Sequence, residues 1–302
     1  MGATHARYAR AFAPGHVTGL FRPALGARDP RARGSVGAGI VLELGAIASA
    51  SFRPGPRRRI RLDDGTGRAL PISEEVARRL APEEPGALEV RLTHELPVGQ
   101  GFGMSAAGAL ATALAVDRLA GRDRERAISV AHLADLFGGG GLGGVAAILG
   151  GGLEARRRPG IPPFGAIVRR PCPGSLFVGV VGGPIPSPTV LGDPRRLHRI
   201  DRAAEGLSGL VRHLTPDAFF AASERFTDAA GLATPEVARA VRALRRSGAW
   251  AAQAMFGRSF LARPKVARDR ARLIEGLQRA GLRAVEVSAA RAGARVLPAQ
   301  AF

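Results

Sequence analysis

Apolar and polar residues alternate in part from Leu88 to Leu96, a pattern that predicts a strand. The chain then turns through Gly99, Gly101 and Gly103 and enters a small-residue apolar run that predicts a helix over about 104–120. A second helix is predicted over about 123–137, opened by mixed arginines and acidic residues and closed by glycine. Upstream, residues 10–52 carry short apolar runs between glycine-rich turns, as in Gly39-Ile40-Val41-Leu42-Glu43-Leu44, and read as strands of an antiparallel or mixed sheet. Arg59 to Leu62, a hairpin-like Asp64-Gly65 and a short helix from Ser73 to Leu80 lead into the strand before the glycines. The run 138–144, glycine throughout except Leu142, predicts a loop.

Prolines at 159, 162, 163, 171 and 173 mark a boundary that divides 1–160 from 161–302. Beyond it the pattern predicts a buried strand from Ser175 to Val181, a rigid loop from Pro184 to Pro188, and helices over Asp193–Leu214, Pro216–Ala230 and Pro235–Ser247. An apolar stretch from Ala249 to Leu261 is interrupted at Gly257; a helix over about 268–280 and strands over Arg283–Ser288 and Ala294–Leu297 follow. Strands and helices mix in both halves without strict alternation, so the expected class is α+β.

Composition changes the picture in three places. The 302 residues carry a net charge of +19, which raises nucleic acid as a partner. The arginines are spread through predicted helices, however, with short clusters only at Arg57–Arg59 and Arg156–Arg158, and one Trp and one Tyr offer no stacking platform. A solvated basic surface with no specific nucleic-acid partner is therefore expected. The single cysteine, Cys172, rules out an intrachain disulfide and a cysteine-based zinc site, and suggests a cytoplasmic protein. Pro14, Gly15 and His16 interrupt the N-terminal segment where a signal peptide would be apolar, and no stretch reaches the ~18 apolar residues of a membrane span.

The glycines at 99, 101 and 103 carry the chemistry. Placed between a strand and a helix start, their backbone N–H groups can surround an anion, aided by the helix dipole. The same run also reads as a flexible turn before a buried helix. A Walker loop is excluded because Lys265 is the only lysine, and a dinucleotide fingerprint is excluded because single residues separate these glycines.

Pro97-Val98-Gly99-Gln100-Gly101-Phe102-Gly103-Met104-Ser105-Ala106 resembles the signature of the GHMP kinases, which transfer the ATP γ-phosphoryl group to small-molecule hydroxyls. Phe12 to Phe21, Gly34-Ser35-Val36-Gly37-Ala38-Gly39, Ala131-His132-Leu133-Ala134-Asp135, Gly141-Leu142-Gly143 and Ala254-Met255-Phe256-Gly257 are similar to the archaeal pantoate kinases within that family. The resemblance implies a two-domain α+β fold: a ribosomal-protein-like N-terminal ATP-binding domain (1–160), a ferredoxin-like C-terminal domain (161–302), and an active site between them. It implies ATP and Mg²⁺ as cofactors, pantoate as the small-molecule substrate and coenzyme A biosynthesis as the context. Related enzymes are often dimers, which makes a homodimer the assembly to test.

By the same resemblance Pro97, Gly99, Gln100, Gly101, Phe102, Gly103, Met104, Ser105 and Ala106 hold the nucleotide, and Ser105 reaches phosphate or metal. Asp135 stands where the family has an acidic residue and is the second implied metal ligand. His16, Thr18, Ser35 and Gly257 are implied to contact substrate. Three departures stand out. Gly144 replaces the aspartate expected to act on the acceptor hydroxyl, Val36 replaces an arginine for which Arg31 or Arg33 would substitute, and Arg258 replaces a small polar residue. Loss of a positioned base, worth about 10²–10⁴-fold, predicts a slow kinase. The alternatives are a nucleotide-binding pseudokinase or a kinase for another hydroxyl, such as that of homoserine or mevalonate.

Overall fold

The computed structural model describes residues 6–298 apart from 186 and 206; the expected 184–188 loop therefore lies partly outside the described residues. Two long strands, β1 (Arg7–Ala24) and β2 (Gly34–Pro54), form an antiparallel hairpin that replaces the several short strands expected over 10–52. Then follow β3 (Arg59–Asp63), α1 (Pro71–Leu80), β4 (Gly86–His94), α2 (Met104–Leu119), α3 (Arg124–Phe137), the single turn α4 (Gly144–Ala147), β5 (Leu153–Arg158) and β6 (Ala166–Arg170). The remaining elements are β7 (Leu176–Val180), α5 (Ser187–Leu191), α6 (Pro194–Ala203), α7 (Leu207–Arg212), α8 (Pro216–Ala230), α9 (Pro235–Arg246), β8 (Ala249–Gln253), β9 (Ser259–Pro264), α10 (Arg270–Arg279), β10 (Val285–Val287) and β11 (Arg295–Leu297). The class is α+β, as the pattern predicts.

Seven strands make the first sheet, in the order β11-β1-β2-β4-β3, with β5 on the other half of β2 and β6 beyond it. β2 is long enough to take β4 along residues 46–54 and β5 along residues 37–40. The second sheet is antiparallel, in the order β10-β7-β9-β8. β5 and β6 pair in the first sheet, so the chain passes from the first sheet to the second between β6 and β7, and β11 returns to β1. Asp64-Gly65 makes no hairpin: α1 intervenes and β3 pairs with β4 in parallel. The expected 193–214 helix is two, α6 and α7, and the 249–261 stretch is the β8–β9 hairpin with its turn at Ala254–Gly257.

Local chemistry explains the helix starts. Asp123, Asp193 and Thr215 accept hydrogen bonds from backbone N–H groups of α3, α6 and α8, and Pro194, Pro216 and Pro235 occupy first turns that need no donor. α2 differs, with Gly103 in left-handed backbone as its cap and no side chain bonding its first N–H groups. It is apolar on every side and almost wholly buried, as a central helix must be. Its alanines let it lie close against β1 and β2 in the main core. A second core, built around Phe177, Val241, Leu244, Phe260 and Leu273, sits where α9 and α10 cover the second sheet.

β1 is bulged on both sides of the 15–18 segment, with register shifts at Pro14/Gly15 and Thr18/Leu20. Gly19, at the second bulge, packs against α8: a Cβ there would stand 2.1 Å from Ser223 Oγ and 2.7 Å from a Phe219 ring carbon. Gly19→Ala is expected to overpack this contact and cost about 1–3 kcal/mol, seen as a lower melting temperature.

Candidate active site

The glycine loop is built by three left-handed residues, with φ of +77° at Gly99, +76° at Gly101 and +67° at Gly103. L side chains rarely adopt this backbone, and space forbids them as well. A Cβ at Gly101 would meet the Ala254 carbonyl at 2.5 Å, and one at Gly103 would meet the His16 backbone at 3.0 Å. The Gln100 amide donates to the Gly182 carbonyl at 2.8 Å, and Ser259 Oγ donates to the Gln100 carbonyl at 2.5 Å. Clamped in this way, the loop presents the uncapped first turn of α2 to a cavity.

Gly99, Gly101, Gly103, Met104, Ser105 and Ala106 line one wall of that cavity, and Asp135 with residues 140–144 lines another. His16, Thr18, Phe21 and Ser35 come from β1 and β2; Met255 and Phe256 come from the β8–β9 turn. Phe21 and Phe256 meet edge to face at 5.0 Å, an apolar side to an otherwise polar space. Met255 N–H donates to the Thr18 carbonyl at 3.2 Å, tying the turn to β1.

Ser105 Oγ donates to Asp135 Oδ1 at 2.8 Å. Burial pushes the Asp135 carboxyl up to about 7, and the Ser105 hydrogen bond offsets only part of that shift. It is the one carboxylate lining the cavity among the described residues. Gly140 is small enough to lie against it, since a Cβ there would fall 2.0 Å from Asp135 Oδ1.

A second buried cluster lies behind the β1 wall. His16 Nε2 meets Glu154 Oε1 at 2.9 Å, and Glu154 is also bonded by Arg156 Nη1. All three are at most 2% exposed. Burial alone pushes the Glu154 carboxyl up, but Arg156 and His16 outweigh it and hold it below its usual range. Burial pushes the His16 imidazole down more strongly than Glu154 raises it. The resulting state is an ionised Glu154 accepting from a neutral His16.

Most of the expected site residues are thus gathered in one place, and some are not. Pro97 is exposed, Phe102 is a core residue, and Gln100 spends its amide on Gly182; none of them lines the cavity. Gly257 also stays outside that lining and packs closely on the loop: a Cβ there would lie 2.0 Å from the Gln100 carbonyl. Arg31 pairs with Asp29, Arg33 donates to the Ala27 carbonyl and Arg258 is exposed, so none supplies a guanidinium to the cavity. The sequence hides Glu154 and Arg156 because Arg156–Arg158 looks like a solvated cluster. Strand alternation was the available signal, placing 154 and 156 on one face.

The family profile described as "GHMP kinases N terminal domain" matches residues 71–152, which contain the glycine loop, Ser105, Asp135 and Gly144. The pantoate kinase of Thermococcus kodakarensis is 32% identical over 242 residues, covering 78% of this chain and 80% of that protein. The chain belongs to the GHMP kinase family. The pantoate kinase of Methanospirillum hungatei is 30% identical over 257 residues, covering 82% and 84%. A solved structure described as a phosphotransferase related to the CoA biosynthesis pathway superposes with a TM-score of 0.86 at 27% identity, over 96% of this chain and 98% of that one. ATP use follows from membership in this family of kinases. Among the described residues no helix is long and apolar enough to cross a membrane.

In this GHMP kinase position 144 is closed to a side chain, because a Cβ there would stand 2.6 Å from the Ala106 Cβ. Gly144→Asp is therefore expected to lower the melting temperature by overpacking, at a cost of about 1–3 kcal/mol, rather than simply add a carboxylate. Asp135 gives a signed pH effect. Its carboxyl titrates near 3.8 unfolded and about 7 folded, so its stabilising contribution is full below about 4 and lost as pH rises through 7. Asp135→Asn should accordingly match wild type near pH 4 and exceed it at pH 8 by on the order of a few kcal/mol, measured by denaturant titration of the nucleotide-free proteins.

Proposed function

We propose that this GHMP kinase transfers the γ-phosphoryl group of ATP to the primary hydroxyl of pantoate, giving 4-phosphopantoate. The observation that carries the reading is the convergence, in one cavity, of the glycine loop, the Ser105–Asp135 pair and the 16–18 segment of β1. The choice of pantoate is supported by the two relatives named for that acceptor, each matched over about four-fifths of its length.

The glycine-loop amides and the first turn of α2 bind the triphosphate, where fixed dipoles stabilise charge without reorganisation. Ser105 and Asp135 offer two hard oxygens beside that turn, and among the described residues the Asp135 carboxyl has no positive partner, a donor set that fits Mg²⁺. Bound there, the ion would neutralise the phosphate oxygens during transfer. Among the described residues no cluster of three His, Cys, Asp or Glu could hold a metal, which agrees with an ion that takes most of its ligands from phosphate and water. His16, Thr18 and Ser35 face the acceptor, while Phe21 and Phe256 pack on its apolar part and exclude water.

The second reading, a nucleotide-binding pseudokinase, is favoured by one observation: among the described residues the cavity holds no carboxylate besides Asp135, which Ser105 already engages. An acceptor screen separates the two. With Mg-ATP and pantoate, homoserine or mevalonate offered singly, ADP release and mass spectrometry are expected to show product with pantoate alone. ATP binding without any phosphorylated acceptor would establish the pseudokinase instead.

A further inference from the structure

The cavity holds few groups able to receive a proton. Asp135 accepts from Ser105, and the hydroxyls of Thr18, Ser35 and Ser105 are poor bases. His16 remains. Its position is dictated from three sides. The bulges around residues 15–18 set its direction on β1. Gly39 of β2, opposite Thr18 on β1 and Glu154 on β5, leaves the slot the ring fills, since a Cβ there would lie 2.2 Å from His16 Nε2. Glu154, held by Arg156, fixes the ring's Nε2 edge.

A buried carboxylate on Nε2 selects the tautomer that carries its proton on Nε2. Nδ1 is then an acceptor, and its neighbour is the Thr18 hydroxyl at 3.4 Å, on the cavity wall. A carboxylate, an imidazole and a hydroxyl are thus neighbours in succession, the hydroxyl on the cavity wall.

We propose that His16 is the catalytic base of this kinase, with Nδ1 receiving the proton of the acceptor hydroxyl and Glu154 and Arg156 acting as positioning residues. The proposal rests on the reading of the protein as a kinase for a small hydroxyl. In the step, the acceptor oxygen forms a bond to the γ-phosphorus, and the bond between that phosphorus and the β,γ-bridging oxygen breaks, its electron pair leaving with ADP. The hydroxyl proton passes to Nδ1, and the imidazolium is balanced by Glu154 until the proton is returned to solvent. Burial and the nearby Arg156 and Arg169 keep the ring neutral beforehand, opposed by Glu154; across the cavity stands Asp135.

At saturating Mg-ATP and pantoate, His16→Asn is expected to lose about 10²–10⁴-fold in kcat. Its affinity for ATP, measured by calorimetry, should stay within about threefold, and the acidic limb of the wild-type kcat profile should vanish. A variant kcat within about threefold of wild type overturns the proposal and leaves the kinase reading standing. A wild-type protein that phosphorylates no acceptor in the screen overturns both. Because a buried substitution can prevent folding, the tautomer is also read on wild type by ¹⁵N NMR of histidine-labelled protein. Nδ1 of His16 should resonate as unprotonated at pH 7.5, and a proton on Nδ1 overturns the proposal whatever the variant does.

Discussion

Backbone contact at the glycine loop sets the spacing between the two sheets. Gly101 touches the Ala254 carbonyl and the Gly257 amide, Gly103 touches β1, and Gly99 lies against Pro184. None of these contacts leaves room for a Cβ. The apolar side of the cavity is made by Phe21 from one side of this seam and Phe256 from the other, so their edge-to-face contact depends on the same spacing. The conformational demand of an anion-binding turn and the dimension of an acceptor site are one constraint here. This accounts for glycines at both 101 and 257, which press on each other's neighbours from opposite sides.

The same economy of size governs the interior charges. Glu154 and Arg156, with the neutral His16 beside them, sit in the core of a protein whose other charges are mostly at the surface. Burying ions is costly unless they are paired and bonded, and Glu154 meets that condition for both of its neighbours. Space for them comes from β2. Gly39 accommodates the imidazole, and Gly37 accommodates the guanidinium, where a Cβ would meet Arg156 Nη2 at 2.6 Å. Gly37 and Gly39 are therefore a slot cut for buried polar groups, which a loop-like composition does not suggest.

Local signals read well and long-range ones did not. α2 follows from a continuous apolar run, α3 from the mixed charges that open it and the glycine that closes it, and the turn before α2 from its glycines. His16, Ser35 and Asp135, far apart in sequence, were joined through motif resemblance, and they share the cavity. The parallel β3–β4 pair was missed because a strand's partner is set by the α1 crossover between them rather than by its own pattern. The unity of β1 and β2 was missed because glycines that usually mark turns here mark bulges and slots. Gln100, Phe102 and Gly257, which the motifs imply as ligand contacts, also have structural contacts that their own motifs do not reveal: one clamps, one fills core and one makes room.

β11 carries a consequence for the history of each molecule. Arg10 pairs with Leu297 and Phe12 with Arg295, so the strand that bears His16 gains its outer neighbour from a segment made more than two hundred residues later. Contacts so distant along the chain close late and slowly. During synthesis, β1 therefore spends most of translation with that edge exposed, able to pair with another strand, before the chain seals it.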